Sequence, residues 1–170
     1  MSGLPEIQTI RAFSATVERR AKSPSDSDPA GAFLIVQADH LREINSRYGQ
    51  GAGDEAVALI AMAIRMSIRD IDIVGRLGET MFGLFLAGAD EAEARRVAER
   101  IAGNVREVYF APAAATAISA RVGGIVFAEH LGFEDMFRQA EEFLFTDDMQ
   151  DASTMAIALG AARMPSAVRH

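Results

Sequence analysis

The sequence predicts an α/β (α+β) domain built on a central, mostly antiparallel sheet with helices packed on its faces. Three observations point there. Ala32–Ala38, AFLIVQA, is a continuous apolar run short enough to be a single buried strand. Two further apolar runs, Ile71–Val74 and Phe82–Leu86, flank Gly78-Glu79-Thr80-Met81, and Val, Ile and Phe on either side of a Gly-containing tetrapeptide read as a β-hairpin. Around these strands lie segments whose apolar residues recur at helical spacing, which gives the element order α-β-α-α-β-β-α-β-α-β.

Taken in order, Pro5 suits the first turn of a helix, and Ile7, Ile10, Phe13 and Val17 continue it to Arg20. Lys22–Gly31, KSPSDSDPAG, is a loop by composition. After the strand at Ala32–Ala38 and the Gly-rich stretch Tyr48–Gly53, Ala56–Ile68 is a helix apolar on nearly every side (Val57, Leu59, Ile60, Met62, Ile64, Met66), and so a buried one. Beyond the hairpin, Asp90–Val108 is a charged amphipathic helix whose apolar stripe is Ala94, Val97, Ala98, Ile101 and Val105. Phe110–Ala115 has no evident role, Thr116–Phe127 is strand-like with Gly123-Gly124 inside it, and Phe133–Phe145 is the last helix. Ser153–Leu159 reads as a closing strand. The chain is thus one domain over residues 1–160, with 161–170 as a frayed, flexible C-terminal tail.

With 170 residues, 49% of them hydrophobic, there is apolar material for a single core. A formal charge of −7 excludes a protein that coats nucleic acid or an anionic membrane, because either needs a basic face, although a local basic pocket is compatible with it. Without Cys there are no disulfides, thiolate metal sites or Cys nucleophile. No run of about 18 apolar residues and no basic-then-apolar N-terminus is present, so the expected location is cytoplasmic.

Arg76-Leu77-Gly78-Glu79-Thr80-Met81-Phe82 is similar, with its middle rewritten and Gly78 and Phe82 kept, to the Arg-x-Gly-Gly-(Asp/Glu)-Glu-Phe signature of GGDEF-domain diguanylate cyclases, which other stretches also resemble. Asp39-His40-Leu41-Arg42-Glu43-Ile44-Asn45 and Tyr48-Gly49-Gln50-Gly51-Ala52-Gly53-Asp54 resemble Asp-x-Asp-His-Phe-Lys-x-Ile-Asn and Tyr-Gly-His-x-x-Gly-Asp without a gap. Ser2-Gly3-Leu4-Pro5 resembles the Leu-Thr-Gly-Leu-Pro-Asn-Arg opening of such domains. The resemblance covers about Ser2–Leu159. It implies the palm-like fold of nucleotidyl cyclases and a domain excised from a larger multidomain protein of bacterial second-messenger signalling.

Joining two GTP molecules needs divalent metal held by carboxylate oxygens. The resemblance puts those ligands at Gln37 and Thr80, where an amide and a hydroxyl stand, and Met81 replaces a further Glu. Glu79 lies one position early, and successive residues of a strand face opposite ways. The family's triphosphate-binding Lys and Arg correspond to Asp148 and Ala152, and Phe145–Asp151 holds no Lys or Arg. The expectation is therefore a chain that binds no Mg²⁺ and is not an enzyme, a degenerate member of the family.

Asn45 and Asp54 occupy the family's guanine-reading positions; equally, Asn45 suits a turn before Gly49 and Asp54 an N-cap after Gly53. His40 reads as a residue that keeps the fold, and His130 and His170 form no metal constellation. Arg69-Asp70-Ile71-Asp72 reads Arg-x-x-Asp at the family's spacing before Gly78 for the inhibitory site that binds cyclic di-GMP as an intercalated dimer, and Arg100 stands at its third position. Guanidinium forks suit phosphates and guanine Hoogsteen edges, and a carboxylate accepts from guanine N–H groups. The alternative for these residues is a surface ion pair at a helix end and an unrelated helical Arg. The expected function is cyclic di-GMP reception through Arg69, Asp72 and Arg100, with signalling by self-association into a homodimer or by a protein partner. A protein-interaction module without nucleotide binding and a GTP-binding regulator using Asn45 and Asp54 are the competing readings.

Overall fold

The computed structural model describes residues 6–21, 30–107, 119–146 and 156–163. Its elements are β1 (Ile7–Gln8), α1 (Ile10–Ala21), β2 (Gly31–Asp39), α2 (Leu41–Tyr48), α3 (Gln50–Arg65), β3 (Ile73–Arg76), β4 (Met81–Ala87), α4 (Glu91–Glu107), β5 (Ser119–Phe127), α5 (Phe133–Leu144) and β6 (Ala156–Ala161). The six strands form one sheet in the order β1-β3-β4-β2-β5-β6. Its three central pairings, β3–β4, β4–β2 and β2–β5, are antiparallel, while the outer pairs β1–β3 and β5–β6 are parallel. This is the mixed α/β architecture that the sequence predicts.

The alternation of β2 divides the core in two. Ala32, Leu34, Val36 and Ala38 face one way, into a cluster with Ile44 of α2, Ile60 and Ile64 of α3 and Ile101 of α4. Phe33 and Ile35 face the other way, into a cluster with Phe13 and Val17 of α1 and Met136 and Leu144 of α5. A strand covered on both faces must be apolar at every position, which is why Ala32–Ala38 shows no alternation. Among the described residues no helix is long and apolar enough to cross a membrane.

Three boundaries differ from the sequence reading. Ile7 belongs to a two-residue strand paired with Val74, and the helix starts only at Ile10, which is 45% exposed. A strand this short has no periodicity to read. Helix α3 begins at Gln50 rather than Ala56, because Gly51 and Gly53, which look like loop residues, lie inside it. At Gly53 the missing side chain is a requirement, since a Cβ would collide with the Asn45 carboxamide. At the C-terminal end, β6 runs to Ala161, Ala162 N–H donates to the Val126 carbonyl, and buried Gln139 exchanges two 2.7 Å hydrogen bonds with the backbone of Arg163. Ala161–Arg163 thus belong to the sheet edge and not to a tail beginning at 161. Residues 108–118 and 164–170 lie outside the described residues.

Candidate ligand site

Two places at opposite ends of the β3–β4 hairpin carry the polar residues singled out by sequence. At the base, the chain between α3 and β3 turns back on itself at Arg69–Asp72. The Asp72 carboxylate accepts from Arg69 N–H at 2.8 Å, from its Nε at 3.2 and 3.1 Å and from its Nη2 at 2.7 Å. Arg69 Nη2 also donates to the Ala87 carbonyl at the end of β4, at 3.2 Å. The Asp72 side chain is fully buried and that of Arg69 is 37% exposed. A buried carboxylate needs such a partner, so the pair fixes the turn and presents one edge of the guanidinium outward. The hydrogen bond with Asp72 is the main cause that holds Arg69 charged above the ordinary guanidinium value. Partial desolvation opposes it, and attraction to Asp72 and Glu93 adds to it.

Arg100 approaches from α4. Its Nε donates to the Ser67 carbonyl at 3.0 Å, and one turn on, Asn104 Nδ2 donates to Ser67 Oγ at 2.8 Å. Buried Ser67 in turn donates to the Ala63 carbonyl at 2.6 Å. These contacts bind α4 to the end of α3 and set Arg100 beside Arg69. Together with Ala89, Glu93, Arg96 and Val97, the two arginines line a recess of about 150 Å³. The structure thus brings together the three predicted residues, although Asp72 stands behind Arg69 and is not itself in the recess wall. Sequence reasoning missed Ser67, Glu93 and Arg96. The helical spacing of Glu93, Arg96 and Arg100 puts them on one side of α4, but a charged face is the default appearance of any amphipathic helix. A neighbouring hollow of about 570 Å³ shares Ala89 and is bounded by Asp90, Glu91 and Glu129 along an apolar floor. Its carboxylates oppose an anion; the arginines of the smaller recess favour one.

At the hairpin tip, Gln37 of β2 lies directly opposite Met81 of β4 and Arg121 of β5. Gln37 Nε2 donates to Thr80 Oγ1 at 2.9 Å and to the Ala38 carbonyl at 3.0 Å. Asp39, two positions on, pairs with Arg121 Nε at 3.0 Å, and the Arg121 guanidinium lies 5.7 Å from the Phe145 ring centroid. Burial pushes the Asp39 carboxyl above the usual range, against the pull of Arg121 and, more weakly, of His40. Glu79 is exposed on the tip, and no three His, Asp or Glu residues cluster among the described residues. An amide donating to a hydroxyl offers Mg²⁺ little, so the donor set at Gln37 and Thr80 does not fit a divalent metal, and no metal-dependent step follows from it. Asp148 and Ala152 lie outside the described residues.

Asn45 and Asp54 flank the junction of α2 and α3. Asn45 Oδ1 accepts from Gly53 N–H at 2.8 Å and its carbonyl from Gly49 N–H at 2.8 Å, while Gly49 turns the chain with φ 96°. Asp54 is exposed within α3, four residues past its start, so it is not the N-cap that its position after Gly53 suggested.

Residues 3–152 match the family model described as diguanylate cyclase, GGDEF domain. The chain belongs to the GGDEF domain family. Diguanylate cyclase TpbB of Pseudomonas aeruginosa is 32% identical over 120 residues, 69% of this chain and 28% of that protein. Diguanylate cyclase DosC of Escherichia coli is 32% identical over 116 residues, 67% of this chain and 25% of that protein. This GGDEF domain therefore spans about a quarter of the length of these relatives. The crystal structure of the GGDEF domain of TpbB from Pseudomonas aeruginosa superposes with a TM-score of 0.77 at 25% identity, covering 97% of this chain and all of that one. The GGDEF domain of DgcB from Caulobacter crescentus, solved in complex with c-di-GMP, has the same fold, with a TM-score of 0.76 at 15% identity over 92% of this chain and 94% of that one. The relatives overturn one expectation. Replacement of the metal-binding positions suggested a chain that is not an enzyme, but relatives about one-third identical are named diguanylate cyclases, which points to an enzyme.

Proposed function

We propose that this GGDEF domain binds cyclic di-GMP in the recess of Arg69, Asp72 and Arg100 and takes part in signalling by that nucleotide. One observation carries the reading. Arg69, held from behind by Asp72, and Arg100, from different elements, line one recess with Arg96 on a chain of net charge −7. Cyclic di-GMP has two phosphates and two guanines, and guanidinium groups fixed at their inner edge are preorganised for both. Complexes of DgcB with c-di-GMP support the ligand class for this fold. Mg²⁺ at Gln37 and Thr80 has no part in the reading, and a ligand-promoted homodimer is its natural consequence, since a stacked pair of ligands presents a second face to a second copy.

Calorimetry with cyclic di-GMP tests it. Arg69→Ala would strand the buried Asp72 carboxylate, so a loss of binding there would mix with a loss of stability. Arg100→Ala is cleaner, because Arg100 is exposed and gives up a single hydrogen bond to Ser67. Loss of one charge-assisted contact of roughly 1.5–3 kcal/mol should weaken binding about tenfold to a hundredfold. Asn45→Ala should leave affinity nearly unchanged. Absence of binding at millimolar ligand, or loss of it on Asn45→Ala with Arg100→Ala silent, would sink the reading.

A further inference from the structure

We infer that Arg96 is a fourth ligand-binding residue of this recess and supplies its open phosphate fork. The inference rests on the proposed cyclic di-GMP site and assigns its phosphate contact to a residue outside the Arg-x-x-Asp arrangement. The donors already present are committed in part, with Nη1 of Arg69 and both Nη groups of Arg100 left open among the described residues. Arg69 spends Nε and Nη2 on Asp72 and Nη2 also on Ala87, and Arg100 spends Nε on Ser67. Arg96 lines the same recess one helical turn before Arg100, is exposed, and donates to no carboxylate or carbonyl among the described residues.

Its obvious partner is already engaged. Glu93 lies three residues earlier on the same side of α4, yet it closes the N-terminus of the helix. Glu93 N–H donates to Asp90 Oδ1 at 2.8 Å while Glu93 Oε1 accepts from Asp90 N–H at 3.3 Å, a reciprocal capping box. Glu93 Oε1 is thereby engaged at the helix start, and Arg96, which lines the recess beside Glu93, makes no ion pair with it among the described residues. The adjacent Arg95 differs in this respect, since it pairs with Glu91 at 3.7 Å and is not part of the recess wall. Arg95 and Arg96 therefore carry the same charge at neighbouring positions, with only one of them placed to touch a ligand.

The test is calorimetric titration of cyclic di-GMP into the wild-type chain and into Arg96→Ala, Arg95→Ala, Arg96→Lys and Arg100→Ala, with circular dichroism to show that each variant is folded. Arg96→Ala should weaken binding about tenfold or more, whereas Arg95→Ala, which removes the same formal charge, should stay within about twofold. Arg96→Lys should recover part of the loss, because a phosphate accepts a point charge as well as a fork. If Arg96→Ala matches Arg95→Ala while Arg100→Ala weakens binding, Arg96 is a solvated helix residue and the inference fails with the site intact. If the wild type does not bind, the site itself is wrong and Arg96 falls with it.

Discussion

Asp39 ends β2 with its side chain only 19% exposed, and its cation arrives from 82 residues further along, on β5. The pairing is invisible in sequence, where Arg121 is one polar residue in a strand of small and apolar ones. Burial costs the carboxylate more than Arg121 returns, so the folded chain holds a proton on Asp39 at a pH where the unfolded chain has released it. The sign follows from linkage. A carboxyl whose folded value is raised contributes stability that is full below the unfolded value, about 3.9, and is lost as pH rises through the folded value. The unfolding free energy of the wild type minus that of Asp39→Asn should therefore fall as pH rises through and just above the carboxylate range, then level off. Denaturant unfolding at a series of pH values measures it, and a difference that rises with pH would show that Arg121 outweighs burial.

The α2–α3 junction shows how an element boundary can hide from sequence. Gly51 and Gly53 weaken any helix signal, since Gly costs about 1 kcal/mol against Ala in a helix interior, so the periodicity of Val57, Ile60 and Ile64 appears to start only at Ala56. Gly53 is tolerated because Asn45 Oδ1 fills the space of its absent side chain and takes its N–H. Gly53→Ala should consequently cost about 1–3 kcal/mol by overpacking. In an Asn45→Ala background the same substitution should cost much less or stabilise, because the clash is gone and Ala is the better helix former. Urea unfolding of the four chains gives the coupling, and equal costs in both backgrounds would contradict the packing account. What was legible elsewhere follows the same logic. The stripe of Ala94, Val97, Ala98, Ile101 and Val105 is fully repeated in the core because burial on one face imposes the period. β1 is too short to show one, and Arg96 was missed because a free cation and a solvated one look alike until Glu93 is seen to cap the helix.

At the scale of the whole sheet, the two polar ends sit apart on one rigid support. β4 runs from Met81 at the tip, opposite Gln37, to Ala87 at the base, opposite Gly31. Its six steps span roughly 20 Å. Between the ends lie Phe82, Leu84, Phe85 and Leu86, all buried, with no polar side chain to relay a change of charge. The hydrogen bond of Gln37 to Thr80 at the tip and the fork of Arg69 on Asp72 at the base should then behave as separate units, because sites with no shared partner beyond about 10 Å add independently. Thr80→Ala should leave cyclic di-GMP affinity within about twofold of wild type, and Thr80→Ala with Arg100→Ala should lose what Arg100→Ala loses alone, within about 0.5 kcal/mol. A larger coupling, read from calorimetry on the four chains, would mean that the hairpin tilts as a body against β2. In that case occupancy of the basal recess would reach the tip through the strand itself.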